Sequence, residues 1–126
     1  MNNEKELLKD LSARLLYKVK GIITYDGSDT IFTVEGIDNN VLHLSDAEEC
    51  YVDDFKPYLR SMSSMTEDDI IELSKIDEKR LIFSARHLTY CLDGEVIDYL
   101  NRKMFDYRGL IEKGLALEAP NGMYEY

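Results

Sequence analysis

Cysteine is scarce in this chain, which has only Cys50 and Cys91. Two thiols so far apart make neither a disulfide framework nor a zinc site, so the plain expectation is a pair of free thiols in a reducing cytoplasm. Histidine is as sparse, and neither His43 nor His87 is assigned a metal-ligating or catalytic role. No apolar run approaches the roughly 18 residues that a membrane span requires. Met1 to Asp10 is charged from Glu4 onward and has no apolar stretch of the kind a secretory leader needs. A soluble, cytoplasmic protein with no membrane association is the resulting expectation. Low-complexity tracts are also missing, and 126 residues, 44% hydrophobic and 32% charged, suit one domain spanning 1–126 that buries a core without staples.

Chemical motifs are as thin as the cysteines. Gly109 and Gly114 have the four-residue gap of a phosphate loop, but Leu115 and Ala116 stand where a lysine and a hydroxyl residue are needed. Asp26-Gly27-Ser28-Asp29 lacks the alternating oxygen ligands and final glutamate of a calcium loop, and reads as a hairpin turn. Ser61, Ser63 and Ser64 have no Gly-x-Ser-x-Gly frame. Asp53 and Asp54 are adjacent, and adjacent acids on a strand point to opposite faces. No catalytic residue, cofactor or metal ligand is assigned, and a protein without enzymatic activity is expected.

What the chain does have is regional charge. Of a net charge of −10, the stretch Asp46 to Glu78 contributes −8, with 11 acids against 3 bases, while residues 79–126 balance at 7 against 7. Such a field repels phosphate backbones and favours basic partners, so general nucleic-acid binding is disfavoured. A local basic face around Lys79, Arg80 and Arg86 stays open. The bland reading of the acidic stretch is a solvated surface with helix-start acids.

Periodicity then gives the elements. Leu7, Leu8, Leu11 and Leu15 share a face, predicting an amphipathic helix from Glu4 to Leu16. Lys18 to Tyr25 and Thr30 to Ile37 read as a hairpin across Asp26–Asp29, and Val41 to Leu44 follows the turn Asp38-Asn39-Asn40 as a third strand. Tyr51-Val52 and Tyr58-Leu59 suggest two more strand pieces. Four or five short strands suit a small, strongly bent antiparallel sheet or SH3-like barrel, and equally an open meander packed by the first helix. Thr66-Glu67-Asp68-Asp69 is a helix start, followed by Ile70, Leu73 and Ile76. Lys79 to Leu92 fits helix or strands, and Glu95 to Met104 repeats helical spacing. The fold class is therefore α+β, with helix and sheet in 1–60 and a mainly helical 61–126.

The last block, Met104 to Pro120, reads MFDYRGLIEKGLALEAP. Phe105, Tyr107, Leu110, Ile111, Leu115 and Leu117 are too apolar for a free tail, so the segment is expected to wrap back and close the core. Part of it can also serve a partner, and Tyr107 and Arg108 are residue types that anchor interfaces. Phe105, Tyr107, Arg108 and Arg86 are the candidate binding residues.

Two stretches carry a resemblance. Lys56 to Thr66 (KPYLRSMSSMT) and Leu100 to Pro120 (LNRKMFDYRGLIEKGLALEAP), followed by Asn121-Gly122-Met123-Tyr124, resemble a family of small uncharacterised proteins encoded in prophages and other mobile elements of Bacteroides-type gut anaerobes. The resemblance implies origin and cytoplasmic expression, and brings no activity or site residues with it. The functional expectation is an accessory protein of a phage or mobile element that binds a host or phage protein of basic character, as a monomer or a homodimer. The alternatives are a small-ligand binder that stacks nucleotides on tyrosines and holds phosphate with Arg108 or Arg86, and an acidic mimic of nucleic acid in which Asp46 to Glu78 forms one negative face.

Overall fold

The computed structural model describes residues 2–25, 27–76 and 94–124. The leucine stripe near the start forms α1 (Asn2–Arg14), which buries Leu7 and Leu11 and half-buries Leu8 in the main core, with Leu15 half-buried just beyond its end. A 3-10 turn, Leu15–Tyr17, follows, and Lys18 at φ 59 turns the chain out of it.

β1 (Lys20–Tyr25) and β2 (Ser28–Asp38) pair antiparallel from Lys20↔Thr33 to Tyr25↔Ser28, leaving Asp26-Gly27 between them. Gly27 has φ 80, a conformation open to glycine and strained for other residues. β2 is long, and its register to β3 (Val41–Leu44) shifts between Val34 and Gly36, a bulge that bends a strand and increases its twist. β4 (Glu49–Tyr51) continues the meander along β3. A 3-10 turn, Val52–Asp54, then leads to β5 (Lys56–Leu59), which crosses back to pair with β1 through Gly21↔Pro57 and Ile22↔Lys56. Gly21 permits that crossing, because a Cβ there would lie 2.4 Å from Phe55 Cζ and 2.5 Å from the Lys56 carbonyl oxygen.

The second half begins with α2 (Glu67–Ile76). Its start is a capping box: the Thr66 N–H donates to Asp69 Oδ2 (2.9 Å) and the Asp69 N–H donates to Thr66 Oγ1 (3.2 Å). Leu73 is fully buried, but Ile70 stays 39% exposed, and Asp69 turns inward instead. α3 (Gly94–Arg102) buries Val96, Tyr99 and Leu100 in a cluster with Leu73 and Phe105. Met104, at φ 63, then redirects the chain to run beside β5: the Arg60 N–H donates to the Met104 carbonyl and the Asp106 N–H to the Arg60 carbonyl. Asp106 accepts the N–H groups of Leu110 (2.8 Å) and Ile111 (2.9 Å), stabilising the turns that follow. β6 (Leu117–Glu118) lies parallel to β5.

Among the described residues the sheet is thus mixed and six-stranded, in the order β4-β3-β2-β1-β5-β6, open as paired, with β4 and β6 as its edges. The α+β class and the N-terminal helix are as expected. Instead of four or five antiparallel strands there are six, one of them parallel, because the C-terminal segment reaches β5 from outside the meander. Nor is the second half mainly helical among the described residues: beyond Arg102 the chain runs in turns and the short β6. Met104, Leu110 and Ala116 join Leu7, Leu11, Phe32, Leu42 and Leu59 in the main core, so the C-terminal segment does close it. The ambiguous stretch Lys79 to Leu92, with Arg80, Arg86, His87 and Cys91, lies outside the described residues. No described helix is long and apolar enough to cross a membrane.

Candidate functional site

Three of the four candidate residues come together, and they face the chain's own interior. Phe105 is fully buried, with the Arg60 guanidinium 4.1 Å above its ring. Tyr107 is half-buried: its hydroxyl donates to Asn101 Oδ1 (2.9 Å), and the guanidinium groups of Arg14 and Arg108 lie 5.4 and 5.2 Å from its ring centre. Arg108 is 29% exposed and places Nε 3.3 Å from Asp10 Oδ1, at ion-pair distance but off hydrogen-bond alignment. The centre of this cluster is a fully buried pair on α1. Arg14 donates from Nε (2.8 Å) and Nη2 (3.1 Å) to Asp10, and also to the carbonyls of Phe105 (2.6 Å) and Leu100 (3.4 Å). The cluster therefore clamps α1 to the end of α3 and the segment after it. Arg86 lies outside the described residues.

A second buried network surrounds Asp69. Burial pushes its carboxyl up, but the N–H and hydroxyl of Thr66, the Tyr99 hydroxyl (3.1 Å) and Arg60 (3.1 Å) outweigh that and hold it below its ordinary 3.8. Burial, and then Asp69 itself, pushes the Tyr99 hydroxyl up, which keeps it a donor. These groups line a cleft of about 440 Å³ with Asp68, Glu72, Lys75 and Lys103, where acids and bases alternate.

The larger opening has a different character. A cleft of about 770 Å³ is lined by Ile22, Ile23 and Thr24 of β1, Val41 of β3, Glu49, Cys50 and Tyr51 of β4, Asp53 and Asp54 of the 3-10 turn, and Lys56 of β5. β1 and β4 stand three places apart in the sheet order, so their sharing of one cleft records how far the sheet curls. Buried Ile22 and Ile23 supply an apolar wall, while Glu49, Asp53, Asp54 and Lys56 are exposed and Tyr51 is 57% exposed. Three carboxylates against one ammonium leave the rim negative. Asp53 and Asp54 reach the same cleft because they sit in a 3-10 turn, where neighbours do not alternate between faces as they do on a strand.

Burial, then Asp54 and Asp53, pushes the Cys50 thiol up to about 11, so it stays protonated and a poor nucleophile at neutral pH. His43 pairs with Glu49 (2.8 Å) on an exposed surface. Among the described residues no group of three or more His, Cys, Asp and Glu side chains could hold a metal ion. Of the acids of the 46–78 stretch, Glu49, Asp53 and Asp54 line one cleft and Asp68, Asp69 and Glu72 the other. The chain matches no protein-family model, no curated protein and no solved structure with which it was compared.

Proposed function

We propose that this protein is a non-enzymatic binding module that holds a basic segment of a partner protein in the cleft between β1 and β4. The observation that carries the reading is the cleft's composition: an apolar wall, an exposed tyrosine and three carboxylates against one lysine. Apolar lining with a few placed charges is what peptide and ligand sites use, and 770 Å³ lies within their usual range of about 300–1,000 Å³. The negative rim recruits lysine- and arginine-bearing chains and repels phosphate, which sets a nucleotide ligand at a disadvantage here. Arg108, one of the two phosphate holders of that alternative, is already engaged with Asp10, and the other, Arg86, lies outside the described residues.

The fold reading that accompanies this is SH3-like. Its support is the meander β1 to β4, the bulged β2, the 3-10 turn between β4 and β5, and the return of β5 to the free side of β1. The resemblance of the KPYLR and C-terminal blocks supports a role as a cytoplasmic accessory protein of a phage or mobile element.

Affinity capture from host and phage-infected lysates tests the function. Wild type is expected to retain a basic protein that an Asp53→Lys/Asp54→Lys variant, equally folded by circular dichroism, does not. Capture of the same proteins by both, or of none by either, overturns the proposal. A Tyr107→Ala variant separates the two candidate regions, since loss of capture without loss of folding would move the site to the C-terminal cluster.

A further inference from the structure

We infer that the partner segment enters the cleft as an added β-strand along the outer edge of β4; the inference rests on the binding function proposed above and specifies how the cleft is filled. The hydrogen-bond ladder between β3 and β4 fixes which way each backbone group of β4 points. The Leu44 N–H donates to the Glu48 carbonyl (2.8 Å), and the Val52 N–H donates to the Asn40 carbonyl (2.9 Å). In an antiparallel ladder, bonded and non-bonded residues alternate. With Glu48 and Val52 bonded toward β3, Cys50 shares their phase, and Glu49 and Tyr51 turn their N–H and C=O groups to the other side. β4 pairs only with β3 and is the edge of the sheet, so these groups find no strand partner among the described residues.

The opposite wall is also a strand margin. Among the described residues β1 meets β5 at Gly21 and Ile22, and Ile23 to Tyr25 run on with no strand partner on that side. Two strand margins therefore face the same opening, with apolar side chains on its wall and carboxylates on its rim. Edge strands with unpaired backbone groups template the pairing of another chain unless they are blunted. β4 is short, with three residues and a charged Glu49, which limits pairing with chance strands, but it carries no proline, lysine or bulge that would close its edge to a basic one.

The side chains fix the character of the added strand. On β4, Glu49 and Tyr51 are exposed on one face and Cys50 is half-buried on the other. A strand laid beside it presents alternate residues to the same two faces. Basic residues then meet Glu49, Asp53 and Asp54, and small apolar ones pack toward Cys50 and Ile23, which share the core face. The occupant is thus an extended segment in which lysine or arginine alternates with β-branched residues, its backbone supplying the pairing and its charge the selectivity.

The probe is a fluorescein-labelled eight-residue peptide of alternating lysine and valine, compared with the same peptide N-methylated at every residue and with an alternating glutamate–valine control. Binding to the full chain is read by anisotropy, and amide hydrogen exchange is followed at Glu49 and Tyr51. Loss of two or more backbone bonds predicts that the N-methylated peptide binds about ten-fold more weakly or worse. The unmodified peptide is expected to slow exchange at both amides. Equal binding of the two lysine peptides without that protection overturns strand addition and leaves the basic-segment reading standing, provided Asp53→Lys/Asp54→Lys still abolishes binding. If neither lysine peptide binds better than the glutamate control, both fall.

Discussion

Replacing Asp10 by asparagine removes one charge from the centre of the α1 clamp with almost no change of shape. Asp10 and Arg14 are both 0% exposed, and Arg14 donates to it twice, at 2.8 and 3.1 Å. Arg108 adds a second cation 3.3 Å away. Without the carboxylate, the buried Arg14 guanidinium keeps only neutral acceptors, the Leu100 and Phe105 carbonyls and the asparagine amide oxygen, beside the partly exposed cation of Arg108. Removing one partner of a buried ion pair costs about 3–5 kcal/mol, because the remaining charge has lost its solvent and its counter-ion. For a domain whose whole stability is about 5–15 kcal/mol, that loss is large and shifts the thermal midpoint by about 10–20 °C. Urea unfolding followed by far-ultraviolet circular dichroism measures it. Arg14→Met is expected to cost less than Asp10→Asn, because Arg108 still neutralises Asp10. The double variant Asp10→Leu/Arg14→Met, with the charges removed together, should recover part of the loss. A cost below about 1 kcal/mol for Asp10→Asn, with no coupling to Arg14, would refute the claim that this pair holds α1 to the C-terminal segment.

Cys50 gives a chemical readout of the cleft: in a Cys91→Ser background, its alkylation at about pH 8 should run about a hundredfold slower than that of a thiol of ordinary acidity. Asp53→Asn/Asp54→Asn should speed it only in part, since burial is the larger cause, and a rate equal to that of a free thiol would remove the argument. Thr66→Ala should cost about 1 kcal/mol through loss of the α2 cap, visible as a lower urea midpoint at unchanged slope. Asp69 is held below 3.8 in the folded chain, so its contribution is present above that value and is lost as pH falls through the lowered one. The stability gap between wild type and Asp69→Asn should therefore be full at neutral pH and narrow in acid; a gap that widens in acid contradicts the assignment. Gly21→Ala should destabilise by about 1–3 kcal/mol, because the Lys56 carbonyl is fixed backbone that cannot yield as a side chain can. An unchanged melting temperature would mean that β5 does not cross β1 so closely.

The strands of the meander were legible because alternation and Asp/Asn/Gly turns are local signals; β2 and β3 fall within a few residues of the expected bounds. Thr66 and Asp69 announced α2 for the same reason. β6 was not legible, since Leu117 and Glu118 carry no periodicity and become a strand only by meeting Tyr58 and Leu59. The clamp escaped for a related reason. Asp10 and Arg14 have the spacing of an ordinary exposed helix pair, and what buries them comes from residues 100–108. Tyr107 and Arg108 were singled out by residue type, which says that they anchor something but not that the partner is α1. The β1–β4 cleft draws on five separate elements, and its clearest sequence signal, Asp53-Asp54, pointed the wrong way while it was read as strand.

The clamp and the sheet share one further property, which concerns the order of synthesis. Arg14 is translated 91 residues before Phe105, whose carbonyl it needs, and the Lys20 N–H waits 104 residues for the Tyr124 hydroxyl that also bonds the Tyr58 carbonyl. During elongation the nascent chain therefore carries α1 and the meander without the residues that lock them. Contacts this distant in sequence slow folding, because loop closure must precede any gain from them. A ribosome stalled before residue 100 would display an N-terminal half that is still protease-sensitive, and emergence of residues 100–124 would act as the step that commits this domain to its folded state.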